Sequence, residues 1–197
     1  MNPTGRYYRE QAEAFFARTV SLDVRNLYGP FLERVPSGGR ILDAGCGSGR
    51  DSVHFASLGF DVTAFDASPE LVAMARAHCG LDVLELQFQE MEFNREFDGI
   101  WACASLLHLP RAEFSSVLTR FVRALVPGGV WYLSFRLGTD EIEREGRWFN
   151  NQTEDSLRAA LENLDDLDVV TTWSNCEMTG DRSGEDWVNA IAQRRFA

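Results

Sequence analysis

The sequence is poor in cysteine and in positive charge, and it lacks any long apolar run. Its four cysteines lie too far apart for a C-x-x-C pair, and no metal-ligand spacing links them to a histidine, so we expect reduced thiols and no metal site. The 19 Lys+Arg against 30 Asp+Glu leave a net charge of −11, which argues against a nucleic acid or an anionic membrane as partner. No apolar stretch approaches the ~18 residues that span a bilayer, and the N-terminus does not resemble a signal peptide. These absences predict a cytoplasmic protein.

What the sequence does contain is typical of an ordinary folded protein. Hydrophobic residues make up 45% and aromatic residues 12% of its 197 positions, and this length predicts a single domain over residues 1–197. Apolar residues at helical spacing, such as Ala12, Phe15 and Phe16, indicate that residues 1–36 form an N-terminal helical cover. Pro30 is expected to kink or split its second half.

From Arg40 onward, short apolar strands alternate with amphipathic helices, which is typical of βαβ units and a parallel sheet. Strands are predicted at residues 41–42, 62–65, 83–86, 99–103 and 130–135. Two more follow near 169–173 and 187–192, and the turn-rich segment 179–184 between them predicts a hairpin, so the last strand should be antiparallel. The predicted fold class is α/β, with a doubly wound, mostly parallel sheet.

Capping residues mark the starts of the predicted helices. Ser48 and Asp51 have the spacing of a capping box for the helix after the first strand. Ser68, followed by a proline and an acid, predicts a helix that ends at Gly80. Thr153 is expected to cap a later helix, with two acids in its first turn.

The segment after the first strand contains three alternate glycines, Gly45, Gly47 and Gly49, and leads into a helix. Glycines permit positive φ and let a bound molecule approach the backbone, while the N-terminus of the following helix offers unpaired N–H groups and a partial positive charge. The pattern favours a ligand with a carboxylate or a phosphate. The alternative is a tight strand-to-helix turn that binds no ligand.

The spacing of the glycines also bears on which ligand is bound. The dinucleotide fingerprint G-x-G-x-x-G would need a glycine at position 50, where Arg50 stands, so nicotinamide cofactors are disfavoured. Asp66 ends the second strand, where a carboxylate can accept hydrogen bonds from both hydroxyls of a ribose. Alone, this acid would more often be a turn or capping residue, but beside the glycine loop it indicates a nucleoside that carries a diol.

With these motifs the sequence resembles the class I S-adenosylmethionine-dependent methyltransferases, from about Tyr7 to Phe196. The resemblance rests on the glycine loop after Asp43, on Phe-Asp-Ala-Ser at 65–68, on the segment 97–108 and on Leu-Val-Pro-Gly-Gly at 125–129. Within the superfamily, the chain is most similar to small bacterial methyltransferases of the tellurite-resistance and methyltransferase-11/25 kind. The resemblance implies a Rossmann-like fold of seven strands in the order 3-2-1-4-5-7-6, and S-adenosyl-L-methionine as cofactor.

The resemblance also assigns cofactor contacts. The loop glycines would face the methionyl and ribose parts, Asp66 would hold the ribose, and the backbone of Cys103 and Ala104 would approach the sulfonium. Many relatives place an acid after the third strand to bind the adenine amino group. The matching position here is Gln87, and in an alternative alignment, or register, it is Glu90. The expected cofactor-binding residues are Tyr7, Asp43, Gly45, Cys46, Gly47, Gly49, Asp66, Ala67, Ser68, Gln87, Phe88, Gln89, Cys103 and Ala104.

Candidate catalytic and substrate-binding residues lie near the same edge of the predicted sheet. His108, just beyond the fourth strand, is the best-placed general base, because the ordinary pKa of histidine lies near neutrality; the alternative is a histidine that only packs against the pocket. Substrate contacts are expected from Tyr8 on the cover, from Arg136 after the fifth strand, and from Arg147 and Trp148 in the loop beyond it. The two arginines would suit an anionic substrate. The alternatives to substrate contact are that Tyr8 only packs as a hydrophobic staple of the cover helix and that Arg147 only pairs with an acid.

The leading functional hypothesis is a methyltransferase that moves a methyl group from S-adenosyl-L-methionine to a small-molecule acceptor by in-line displacement, leaving S-adenosyl-L-homocysteine. Holding two reactants at near-attack distance can lower such a barrier by about 7–11 kcal/mol, so a base is needed only for hydroxyl or ammonium acceptors. The alternatives are a non-catalytic sensor of the cofactor and a nicotinamide-dependent oxidoreductase. The sequence carries no signal for an oligomeric state.

Overall fold

The computed structural model describes residues 3–176 and 186–196, and it contains a central sheet flanked by helices. The helices are α1 (Pro3–Glu10), α2 (Ala12–Thr19), α3 (Arg25–Leu32), α4 (Arg50–Ser57), α5 (Pro69–Cys79), α6 (Arg111–Ala124) and α7 (Glu154–Glu162). The strands are β1 (Arg40–Ala44), β2 (Asp61–Asp66), β3 (Leu84–Glu85), β4 (Phe97–Ala102), β5 (Leu125–Arg136), β6 (Glu141–Arg144), β7 (Arg147–Asn150), β8 (Leu167–Cys176) and β9 (Asp186–Arg194). Short 3₁₀ turns, Phe88–Glu90 and Leu106–His108, follow β3 and β4.

Seven strands pair in the order β3-β2-β1-β4-β5-β9-β8. Neighbouring strands from β3 to β5 are parallel, whereas β9 is antiparallel to both β5 and β8. Because β6 and β7 form a separate hairpin, this is the predicted order 3-2-1-4-5-7-6 with the last strand antiparallel, and the doubly wound, Rossmann-like fold is confirmed. β8 and β9 pair as far as Cys176 and Asp186; the hairpin residues predicted at 179–184 lie outside the described residues.

The central strands are buried on both faces, as a doubly wound sheet requires. On one face, Trp131 of β5 stacks on Phe121 of α6, with ring centroids 4.8 Å apart. On the other face, Trp101 of β4 stacks on Tyr132 of β5 at 3.9 Å and contacts Phe31 of α3 at 5.2 Å. These rings are fully buried. The core therefore holds β4 and β5 in register, so that their carboxyl ends meet at one edge of the sheet.

Two predicted helix caps are confirmed. The Ser68 hydroxyl accepts a hydrogen bond from Leu71 N at 3.3 Å, and α5 ends at Gly80, whose φ of 69° is left-handed. Thr153 caps α7 in the same way. The cap on α5 matters for the site, because it fixes the turn that immediately follows Asp66.

The capping box expected from Ser48 and Asp51 is wrong. α4 begins at Arg50 after the left-handed Gly49, and no side chain caps it. The Asp51 carboxylate is buried and accepts hydrogen bonds from side chains on α3 and β4, so it cannot turn back to the helix N-terminus. This acid therefore anchors the start of α4 to the core.

Other differences concern strand lengths and the residues after β5. β3 is only two residues long, and β5 begins at Leu125 rather than at residue 130, because it continues across an irregularity in its pairing with β4. The segment predicted as a loop contains the hairpin β6–β7, so Arg147 and Trp148 lie on a strand. Pro30 lies inside α3, which it does not split.

The N-terminal helices occupy two different places on the sheet. α1 and α2 pack against α5, and α1 also contacts β7 through Thr4, whose hydroxyl accepts a hydrogen bond from Trp148 N at 2.9 Å. α3 packs under β4 and β5 through Tyr28 and Phe31. Thus α1 and α2 cover the carboxyl ends of the strands, while α3 completes the core.

Candidate functional site

A cavity of about 850 Å³ lies at the carboxyl edge of the sheet, next to α1 and α2. Most of the residues proposed from the sequence line it, namely Tyr8, Gly45, Cys46, Gly47, Asp66, Ala67, Ser68, Gln87, Phe88, Gln89, Cys103, Ala104, His108, Arg136 and Arg147. Tyr7, Asp43, Gly49 and Trp148 do not line it, and their direct contacts with a ligand stay predictions. The fold thus brings residues that are distant in sequence into one site.

The glycine loop forms one wall of this cavity. Gly45 and Gly47 have left-handed φ values of 76° and 55°. A Cβ at Gly45 would lie 2.6 Å from the Cβ of Ser105, so the packing of the protein itself requires this glycine. A Cβ at Gly47 would instead meet Phe15 of α2 at 3.2 Å, in the space between the loop and the cover. The left-handed φ and the contact with Ser105 therefore explain Gly45 without a ligand, and the left-handed φ and the approach of Phe15 explain Gly47 in the same way.

Asp66 joins the glycine loop to the turn before α5. Its two carboxylate oxygens accept hydrogen bonds from Gly47 N and from Ser68 N, both at 2.9 Å. Desolvation by burial raises the pKa of this carboxyl above its ordinary value, although these backbone bonds oppose the shift. The backbone of Ala67 also bonds to this carboxylate, so of its about four acceptor positions one remains for a hydroxyl of a ligand in the cavity.

Next to the glycine loop lies Asp51, a buried acid whose role was not predicted from the sequence. Asp51 accepts hydrogen bonds from the Tyr28 hydroxyl at 2.6 Å and from Trp101 Nε1 at 2.9 Å, and it pairs with Arg50 at 2.7 Å. Burial alone would raise the pKa of Asp51, but the Arg50 charge and these hydrogen bonds hold it below its ordinary value. Both Arg50 and Asp51 line the cavity. The sign of this ion pair in the sequence was that an arginine and an aspartate stand side by side directly after the glycine loop.

Asp43 lies behind the loop rather than in the cavity. It is buried and accepts a hydrogen bond from Ser52 Oγ at 2.6 Å. Burial, followed by the neighbouring charge of Asp51, raises the pKa of Asp43 to about 8. Its position links β1 to α4 and so supports the conformation of the glycine loop.

The wall formed around the 3₁₀ turn after β3 contains only one of the two residues that the sequence offered for binding an adenine amino group. Gln87, Phe88 and Gln89 line the cavity, whereas Glu90 does not. The Glu90 carboxylate instead accepts a hydrogen bond from Gln87 N at 3.2 Å. The Gln87 side chain is therefore the candidate partner for an adenine amino group.

At the other end of the cavity, His108 contacts both the cover and the β6–β7 hairpin. Its Nε2 lies 2.8 Å from the Tyr8 hydroxyl, and its Nδ1 lies 2.7 Å from the carbonyl oxygen of Trp148. The Trp148 backbone N–H in turn donates to Thr4 of α1. The Trp148 indole donates to Glu141 at 3.2 Å, outside the cavity. The predicted base is therefore held in place by two polar partners.

Both predicted arginines line the same end of the cavity. The Arg136 and Arg147 guanidinium carbons lie 4.6 Å and 5.1 Å from the ring centroid of Phe149, and that of Arg147 also lies 4.3 Å from the ring of Tyr7. Arg147 pairs with Glu145 at 3.2 Å, which is the structural alternative foreseen for it. It does so while still facing the cavity.

Within residues 3–176 and 186–196, no three His, Cys, Asp or Glu side chains are grouped so that they could hold a metal ion. Over the same residues, no helix has the length and apolar character needed to cross a membrane.

Comparison with known sequences finds similarity to methyltransferases over part of the chain. Residues 41–129 match the family model described as a methyltransferase domain. Over 106 residues the chain is 37% identical to a ubiquinone biosynthesis O-methyltransferase of Xanthomonas oryzae pv. oryzae, a match that covers 50% of this chain and 43% of that protein. The chain therefore matches less than half the length of this curated relative.

Solved structures extend the likeness beyond the matched sequence segment. An S-adenosylmethionine-dependent methyltransferase of Methanosarcina mazei superposes with a TM-score of 0.76 at 20% identity, covering 87% of this chain and 99% of that one. The 1,6-didemethyltoxoflavin-N1-methyltransferase of Burkholderia thailandensis, solved with 1,6-didemethyltoxoflavin and S-adenosylhomocysteine bound, gives 0.74 at 22% identity, covering 96% and 84%. These structures share the fold, and the sequence match falls on the glycine loop and Asp66. Residues 41–129 are therefore similar to a methyltransferase domain, and the chain shares the fold of solved S-adenosylmethionine-dependent methyltransferases.

Proposed function

We propose that the chain transfers a methyl group from S-adenosyl-L-methionine to a small-molecule acceptor bound beside His108. The observation that carries the proposal is a continuous cavity that joins the glycine loop and Asp66 at one end to Tyr8, His108 and Arg147 at the other. One end has the groups that a nucleoside needs, and the other has a candidate base and a cation. A cofactor and an acceptor can therefore lie in the same cavity.

The residues at the first end fit the cofactor. Asp66 retains an acceptor position for a ribose hydroxyl, and the cavity extends along the glycine loop. The Gln87 side chain offers a carbonyl oxygen to an adenine amino group. When bound, S-adenosylmethionine supplies a methyl group on a positively charged sulfur, and the chain's part is to hold and orient it.

The residues at the second end position the acceptor for in-line attack. Tyr8, Arg136 and Arg147 reach the cavity directly, whereas Trp148 acts through its backbone contacts with His108 and α1. For a hydroxyl acceptor, His108 serves as the general base and takes up the proton that the acceptor loses. For an acceptor that is already an anion or a soft atom, positioning alone suffices.

A small-molecule acceptor also agrees with the names of the similar proteins, which act in ubiquinone biosynthesis and on 1,6-didemethyltoxoflavin. The tellurite-resistance resemblance also suggests a second hypothesis, an inorganic oxyanion as the acceptor. The cytoplasmic location and the single-domain organisation stay predictions.

The proposal is tested by incubating the purified chain with S-adenosylmethionine and a panel of phenols, carboxylic acids, amines and tellurite, and measuring S-adenosylhomocysteine by mass spectrometry. We expect time-dependent formation of product with at least one class. Cofactor binding without turnover across the panel would instead favour the sensor. Binding of NAD with no binding of S-adenosylmethionine would favour an oxidoreductase and overturn the proposal.

A further inference from the structure

The acceptor end of the cavity carries more positive charge than a chain of net charge −11 leads one to expect. Arg136 comes from the end of β5, and Arg147 comes from the hairpin β6–β7. Both line the cavity beside Phe149. The hairpin lies outside the seven-stranded sheet, so Arg147 reaches the site from a separate element, whereas Arg136 comes from the sheet itself.

Arg147 is buried, but not every polar atom of its side chain has a hydrogen-bond partner. Only 8% of the residue is exposed, and its Nη2 lies 3.2 Å from Glu145, whose side chain is 65% exposed. An ion pair with so exposed a partner contributes little. Within the described part of the chain, the buried Nε of Arg147 has no hydrogen-bond partner. A buried donor without an acceptor is costly, so an acceptor on a bound ligand would relieve that cost.

Aromatic rings hold the guanidinium groups in place. The guanidinium of Arg147 lies over the ring of Tyr7 at 4.3 Å and near that of Phe149 at 5.1 Å, and the guanidinium of Arg136 lies 4.6 Å from Phe149. Contact with ring faces restrains the orientation of a guanidinium, and its planar fork of N–H groups matches the two oxygens of a carboxylate. Of these rings, Phe149 lines the cavity and provides a surface for an aromatic acceptor.

On these grounds we propose that the acceptor is a small planar organic acid whose carboxylate binds Arg147 and Arg136, with its ring against Phe149. This inference rests on the proposed function, because it names the substrate class of the same site. It places the carboxylate at the arginines and directs the methyl-accepting atom toward His108, which lies 5.1 Å from Phe149 between ring centroids. Specificity would then come from the hairpin, and cofactor binding from the sheet.

The test is a ligand-observed NMR titration of the full chain, saturated with S-adenosylhomocysteine, using benzoate as the probe and benzamide as its neutral isostere. We expect benzoate to bind at least tenfold more tightly than benzamide. Arg147→Gln should weaken benzoate binding at least tenfold and leave S-adenosylhomocysteine affinity unchanged, which also shows that the variant folds. Arg147→Lys keeps the charge but loses the fork, so we expect an intermediate affinity.

Arg144→Gln is the matched control. This residue lies in the same hairpin and also approaches Glu145, at 3.9 Å, but it is 63% exposed and does not line the cavity. Its loss should leave benzoate binding unchanged. Equal affinities for benzoate and benzamide, an unaffected Arg147→Gln variant, or binding of inorganic phosphate in place of benzoate would each overturn the inference.

Failure of the inference and failure of the proposed function give different results. If the carboxylate subsite is wrong, S-adenosylhomocysteine still binds while benzoate does not. If the proposed function is wrong, either the cofactor product does not bind or S-adenosylmethionine binds without turnover, and Arg147-dependent binding of benzoate would still support an anion subsite.

Discussion

The hydroxyl of Tyr8 lies 2.8 Å from Nε2 of His108, and this contact joins the N-terminal cover to the candidate base. Nδ1 of the same ring lies 2.7 Å from the carbonyl oxygen of Trp148, which can only accept a hydrogen bond. In the neutral imidazole, Nδ1 therefore carries the proton, and Nε2 accepts from the phenol. A proton from the acceptor can reach Nε2 of His108 through the Tyr8 oxygen, or directly after that phenol has moved aside.

Replacing the histidine tests whether it acts as a base. We expect His108→Ala to lower turnover of a hydroxyl acceptor by about 10²–10⁴-fold, because proton transfer loses its acceptor, while the affinity for S-adenosylhomocysteine stays the same. His78→Ala is the control, since His78 is exposed and does not line the cavity. Steady-state rates and calorimetric titration of the product separate the two effects. A normal rate in His108→Ala would make this histidine structural.

Replacing the phenol tests the pathway of the proton. Tyr8→Phe keeps the ring but removes the hydroxyl that bonds to His108, so turnover of a hydroxyl acceptor should fall by about 10²-fold or more. Tyr7→Phe is the neighbouring control, because it keeps the ring that contacts Arg147. Turnover that is equal in the two variants would show that the acceptor proton does not pass through Tyr8.

The meeting of the glycine loop and Asp66 at one cavity could be predicted because it follows from strand order. The glycine loop and Asp66 each follow a short apolar strand, and parallel strands bring their carboxyl ends to one edge of a sheet. The role of Asp51 could not be predicted in this way. An acid in the first turn of a helix has the pattern of a cap, and only the tertiary contacts with Tyr28 and Trp101 show that it faces the core.

The hairpin β6–β7 escaped prediction for a different reason. All four residues of β6 are exposed, so the strand has no buried face and no apolar alternation. Arg147 was named from the sequence as a substrate contact, but its burial between Tyr7 and Phe149 depends on how the hairpin docks against α1. Docking of this kind is tertiary information that residue spacing does not carry.

Removing the carboxylate of Asp66 tests the cofactor site. Asp66→Ala should weaken S-adenosylhomocysteine binding by about 1.5–3 kcal/mol, because the ribose loses charge-assisted hydrogen bonds and Gly47 N loses its acceptor. Asp61→Ala, an exposed acid at the opposite end of the same strand, should bind normally. Isothermal titration measures both affinities. Unchanged affinity in Asp66→Ala would refute the ribose assignment.

The buried carboxyl of Asp43 should make stability depend on pH. Burial and the nearby charge of Asp51 raise its pKa to about 8 in the folded chain, whereas an unfolded aspartate titrates near pH ~3.9. Between these values the folded state holds a proton that the unfolded state has lost. Stability therefore falls as pH rises through this window, by at most about 1.4 kcal/mol per pH unit.

Asp43→Asn isolates this contribution, because the amide keeps an acceptor for Ser52 but cannot titrate. We expect the free energy of unfolding in urea, measured from pH 5 to pH 8, to decline less steeply with pH in Asp43→Asn than in the unmodified chain. The exposed Asp61→Asn variant should keep the original slope. Identical slopes in Asp43→Asn and the unmodified chain would mean that Asp43 is already ionised when folded, and that its charge is compensated by the arginine beside Asp51.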